Sequence, residues 1–107
     1  MKYSSPLLTG AALLLLSAAS AFAEDHVVPQ KDRSFAIQEI AVKSGDTITF
    51  VNHDEVVHNV FSISPGLAFD IKRQEPGGQS TVKFEKPGVA EVRGSIHPKM
   101  KLVVNVK

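Results

Sequence analysis

The 107-residue chain contains no cysteine and no tryptophan, and its one tyrosine falls at position 3. Without cysteine, no disulfide can staple a small exported fold, so stability must come from packing, with help from a bound ion if there is one. Long apolar runs are confined to one stretch near the N-terminus, and after it no 3.6-residue apolar period lasts the length of an ordinary helix. Nothing pairs a nucleophile with a base, sets two carboxylates across a cleft or rings a phosphate with glycines. Hydrolytic enzymes therefore have no support, and the chain is not read as an enzyme.

The apolar stretch is Leu7 to Ala19, with Lys2 before it and Ala21-Phe22-Ala23 after it as a small-x-small cleavage site. It is shorter than the roughly 20 residues of a membrane-spanning helix. Glu24-Asp25 follows where a stop-transfer segment would be basic. Residues 1–23 are expected to be a cleaved secretory signal, leaving a periplasmic protein with no membrane segment. Taking 23 from 107 leaves 84 residues, enough for one small domain. Losing Lys2 brings the 12 basic residues level with the 11 acidic ones. The mature chain has neither the basic stripe nor the stacking aromatics of a nucleic-acid binder, and its phenylalanines sit at apolar strand positions where they read as core.

Glu24 to Asp32 is polar and reads as a mobile arm leading into a domain over residues 33–107. Beyond it the apolar residues recur with period two. Phe35, Ile37, Ile40 and Val42 precede the turn Lys43-Ser44-Gly45-Asp46, and Thr47 to Val51 is the clearest strand, with Ile48 and Phe50 on one face. Val56 to Ile63, Phe69 to Ile71, Ser80 to Phe84, Val89 to Arg93 and Leu102 to Val106 complete seven or eight short strands, separated by turn signals such as Ser64-Pro65-Gly66 and Lys86-Pro87-Gly88. This is the pattern of an all-β antiparallel sandwich or barrel. With no heptad repeat and no long apolar edge, a monomer is expected.

The chemistry concentrates in Gly94-Ser95-Ile96-His97-Pro98-Lys99-Met100, a short loop between two strands. An imidazole and a thioether three residues apart on a proline-stiffened loop can aim at one point, a donor pair that suits copper, and His58 can add a second imidazole from another strand. Each histidine taken singly is more often a packed or surface residue than a ligand. His53, beside Asp54 and Glu55, reads as solvated or as an auxiliary ligand. Lys99 and Lys101 read as solvated surface, or as charges steering an acidic partner or anion toward the site.

Val42 to Asp46, Ile48 to Asn52, His58-Asn59-Val60, Lys86-Pro87-Gly88 and the 94–100 loop together resemble the cupredoxins, the small blue-copper proteins, over most of the mature chain. The short final loop is most similar to those of the amicyanin and plastocyanin-like members. The resemblance implies a Greek-key β-sandwich with copper near one end, His58 and His97 as imidazole ligands and Met100 as the weak axial thioether. It also implies a hydrogen-bonded tie between Asn59 and Ser95. Gly94 stands at the position of the ligand cysteine and cannot ligate. A site without thiolate is not blue, holds copper more weakly and exchanges electrons less readily.

Three functions remain open at this level: a periplasmic protein that buffers, carries or protects against copper; a type 1 copper electron carrier that has lost its cysteine; and a metal-free sandwich used as a binding module. A copper-handling or redox protein is the expected partner of the first two. Cleavage after Ala23 would also place His26 third in the mature chain, where a free amine, two deprotonated amides and an imidazole can form a square-planar Cu(II) site. At Gly94, an ordinary extended backbone would let a side chain stabilise the fold slightly, whereas a close backbone approach would require the glycine.

Overall fold

A computed structural model describes residues 22–107, which form nine strands. The segment read as a mobile arm is instead β1 (Asp25–Lys31), followed by β2 (Ser34–Phe35), β3 (Glu39–Val42) and β4 (Asp46–Asn52). Then come β5 (His58–Ser62), β6 (Phe69–Gln74), β7 (Gln79–Phe84), β8 (Gly88–Arg93) and β9 (Lys101–Val106). One sheet has the order β2-β1-β4-β7 and the other β3-β9-β8-β5-β6. Of the signal expected over residues 1–23, all but the last two residues lie outside the described residues. No helix among the described residues is long and apolar enough to cross a membrane.

Alternation decides which residues meet between the sheets. In β4, Ile48 and Phe50 point inward; in β9, Leu102, Val104 and Val106 do the same, and with Val28, Phe35, Val42, Val60, Phe84, Ala90 and Val92 they make one core. Phe50 holds Phe35 and Phe69 at ring-centroid distances of 6.1 Å each. Phe61 departs from the expectation that every mature-chain phenylalanine is core. Because His58, Val60 and Ser62 take the inward positions of β5, Phe61 faces outward and is half-buried. Ile37 also departs, lying exposed just after β2 ends.

Two pairings are parallel rather than antiparallel, β1 with β4 and β3 with β9. The arm is ordered because Val28 and Gln30 are fully buried and the strand pairs with β4 from Asp25↔Thr47 to Gln30↔Asn52. Its start is tied to the buried carboxylate of Asp46, which accepts from the amides of Glu24 (2.9 Å) and Lys43 (2.8 Å) and lies 3.0 Å from His26 Nε2. His26, then the two amides, outweigh burial and hold the Asp46 carboxyl down at about 2 from an ordinary 3.8. A carboxyl depressed in the folded state stabilises the fold above its unfolded value, and that contribution is lost as pH falls from about 4 through 2. The urea midpoint, followed by circular dichroism, should therefore drop across this window, and Asp46→Asn should flatten the drop; an unchanged pH profile in the variant would remove Asp46 as a cause.

Candidate metal centre

His58 opens β5, and the register sets what it faces. Phe61 pairs with Arg93 in an antiparallel ladder, so the start of β5 runs beside the end of β8 and the loop after it. Asn59 Oδ1 accepts from Ser95 N at 2.7 Å and from Ser95 Oγ at 2.9 Å, joining the two segments directly. Within the loop, Met100 N donates to His97 O at 3.0 Å, closing a four-residue turn with Pro98 in its second position, where the fixed φ of proline is favoured. The turn brings residues 97 and 100 to one place.

The two imidazoles meet. Their ring centroids are 4.8 Å apart at an interplanar angle of 77°. His58 is fully buried and His97 half-buried. His58 Nδ1 and His97 Nε2 are both buried with no hydrogen-bond partner among the described residues. An unsatisfied buried polar atom costs about 1–3 kcal/mol, so two in facing rings call for a ligand. Among the described residues no third His, Cys, Asp or Glu joins them as a metal cluster. The remaining donor type is the thioether of Met100, which is 1% exposed and packs within the core. Two imidazoles and a thioether are a soft, neutral donor set that fits copper.

Gly94 explains where that thioether lies. A Cβ at position 94 would stand 3.2 Å from Met100 Sδ, 3.2 Å from the Asn59 carbonyl oxygen and 3.4 Å from Met100 Cβ. The backbone there is outside the left-handed region, so what a side chain at 94 meets is crowding by its neighbours and not backbone strain. A side chain added there meets Met100 and the backbone of β5 instead of open space, which works against the slight stabilisation expected of an ordinary extended position.

Behind His58 stands Asp54, read in the sequence only as part of a polar loop. Its Oδ2 is 2.6 Å from His58 Nε2 and accepts from Arg33 N at 2.8 Å, while Oδ1 accepts from Asp32 N at 2.6 Å. Burial alone would raise the Asp54 carboxyl, but the Arg33 amide, the His58 imidazole and the Asp32 amide outweigh it and hold it at about 2. Those amides belong to the β1–β2 hairpin, where Asp32 (φ 54°) and Arg33 (φ 56°) both take left-handed conformations, as a two-residue turn of this hand demands. The hairpin thus clamps the carboxylate, and the carboxylate orients the ring so that Nδ1 faces away from it. Asn52, buried, steadies the same loop by accepting from Asp54 N and donating to Val56 O, each at 2.9 Å. The spacing Asp54-x-x-x-His58 was the available signal, but which side of the loop the aspartate would face depended on the hairpin.

The other candidates take no part in the facing pair. His53 is exposed, as is Lys99, and Lys101 is paired with Glu91 at 3.4 Å. His26 is held by Asp46 at the head of β1, so a square-planar Cu(II) set there would have to take its imidazole from Asp46 and its amides from a paired strand.

Residues 25–107 match the copper-binding plastocyanin/azurin family. Amicyanin-alpha of Methylorubrum extorquens is 33% identical over 70 residues, which is 63% of this chain and 59% of that protein. The chain thus matches less than two thirds of that relative's length. An amicyanin variant solved in its Cu(I) form superimposes with a TM-score of 0.73 at 26% identity, over 84% of this chain and 89% of that one. The copper-containing nitrite reductase from Thermus scotoductus SA-01 contains a similar unit, with a TM-score of 0.72 and 26% identity over 78% of this chain and 22% of that one. A family match running from the head of β1 to the last residue, on a two-sheet sandwich of the same shape, shows that the chain belongs to the plastocyanin/azurin family of copper-binding proteins.

Proposed function

We propose that the chain is an exported copper-binding protein that buffers or carries copper through His58, His97 and Met100, at a site with no thiolate. The observation that carries this reading is the pair of facing imidazoles, each with an orphaned buried nitrogen. Asp54 supports it by occupying the other nitrogen of His58, the outer contact that a ligating histidine ordinarily makes. Copper would supply the electrophile that both free nitrogens and the sulfur lack; the chain's own part is to hold three neutral donors on two segments tied by Asn59 and Ser95.

Export is supported by the leader-like residues 1–23. The amide nitrogen of Glu24 lies 2.9 Å from Asp46 Oδ1, so cleavage after Ala23 would leave the new amine against a buried carboxylate. A periplasmic copper-handling or redox protein is the partner this reading implies.

Copper titration of the protein beginning at Glu24, followed by electron paramagnetic resonance, tests the proposal. One equivalent should bind, and the cupric form should lack an intense visible band. Fast, reversible Cu(I)/Cu(II) exchange of the bound metal in voltammetry would support the electron-carrier reading, and no uptake would leave a metal-free binding module.

A further inference from the structure

We infer that this site is built for the cuprous ion, with the Met100 thioether packed against the point where a side chain at position 94 would begin. The inference rests on the copper reading above and names the oxidation state that the residues accept.

Position is the first argument. Met100 Sδ comes to 3.2 Å from the Cβ site of residue 94, the same distance as the Asn59 carbonyl of β5, so the sulfur packs directly against the residue-94 backbone. Met100 is itself 1% exposed and cannot be counted as a loose outer contact. The turn His97-Pro98-Lys99-Met100 holds the backbones of His97 and Met100 together, and the Asn59–Ser95 tie holds their loop against the segment that carries His58. The thioether is thus buried on the same tied loop as His97.

Charge is the second argument. None of the three donors is anionic, and His58 is fully buried. A buried cation must be balanced locally or its desolvation cost is large. Among the described residues, the carboxylate held on these imidazoles is that of Asp54, 2.6 Å from His58 Nε2. One negative charge balances Cu(I) and leaves Cu(II) with an excess. Ligand preference points the same way, since a thioether selects the softer ion, and the cuprous ion tolerates two or three donors where the cupric ion needs a fuller, harder set.

The experiment uses the chain beginning at Glu24 with His26→Ala, which removes the N-terminal Cu(II) donor. Affinities are measured by competition, against bicinchoninate for Cu(I) under reducing, anaerobic conditions and against nitrilotriacetate for Cu(II). Cu(I) should bind at least about a hundredfold more tightly than Cu(II). Met100→Leu, which conserves volume and should still fold, should weaken Cu(I) at least about tenfold while changing Cu(II) less. X-ray absorption of the Cu(I) form should show a sulfur scatterer that this variant loses. Equal affinity for the two ions, or a Met100→Leu variant that keeps its Cu(I) affinity, would overturn the inference while leaving copper binding intact. Uptake of neither ion overturns the copper reading itself.

Discussion

His97→Ala should weaken copper binding at least tenfold, about 1.4 kcal/mol or more. The size follows from the donor count: with no thiolate, removing one imidazole takes one of only three donors and leaves a single imidazole and a thioether. His97 is the cleaner of the two histidines to test. It is half-buried on a loop, and its Nε2 is buried without a partner, so its loss breaks no hydrogen bond found for that nitrogen. His58→Ala should weaken copper equally but also lower stability, because it empties a fully buried position and takes one partner from the partly buried Asp54 carboxylate. That loss should be about 1–3 kcal/mol. A competition titration beside a thermal melt separates the effects. Wild-type affinity in His97→Ala would remove this residue from the site.

Gly94→Cys should turn the cupric protein intensely blue or green, where the parent stays nearly colourless. The change adds a thiolate at the position that the sequence resemblance assigns to the ligand cysteine, on a loop already tied to the segment of His58. It should also lower the stability of the metal-free fold, by the roughly 1–3 kcal/mol that overpacking costs. The new Cβ would stand 3.2 Å from both the Asn59 carbonyl and the Met100 sulfur. The carbonyl belongs to β5 and yields little, whereas Met100 can change rotamer. Visible spectra of the copper-loaded variant and urea melts of the apo form check the two halves. If Gly94→Cys stays colourless with Cu(II) bound, the loop does not bring residue 94 to the metal; if Gly94→Ala is as stable as the parent, the crowding is relieved without cost.

The sandwich was legible in the sequence because a half-buried strand must alternate. Thr47 to Val51, Ser80 to Phe84 and Leu102 to Val106 each read correctly from their own residues, as did the turns between them. The ligand candidates were legible for a similar local reason: Met100 follows His97 by one proline-containing turn, and that distance is a property of four residues. Partners far apart in the chain were not legible. Asp25–Lys31 carries adjacent valines and a proline, so its own pattern is weak, and it becomes a strand because β4 and the buried Asp46 receive it. Phe61 has the composition of a core residue, yet it faces outward because the inward phase of β5 belongs to His58 and Val60. Asp54 acquires its place from the Asp32 and Arg33 amides of a hairpin 21 or 22 residues away. The meaning of Gly94 changed most. One residue type in one sequence is compatible with open space, a left-handed turn or a close approach, and only the packing of Met100 and Asn59 against it chooses among them.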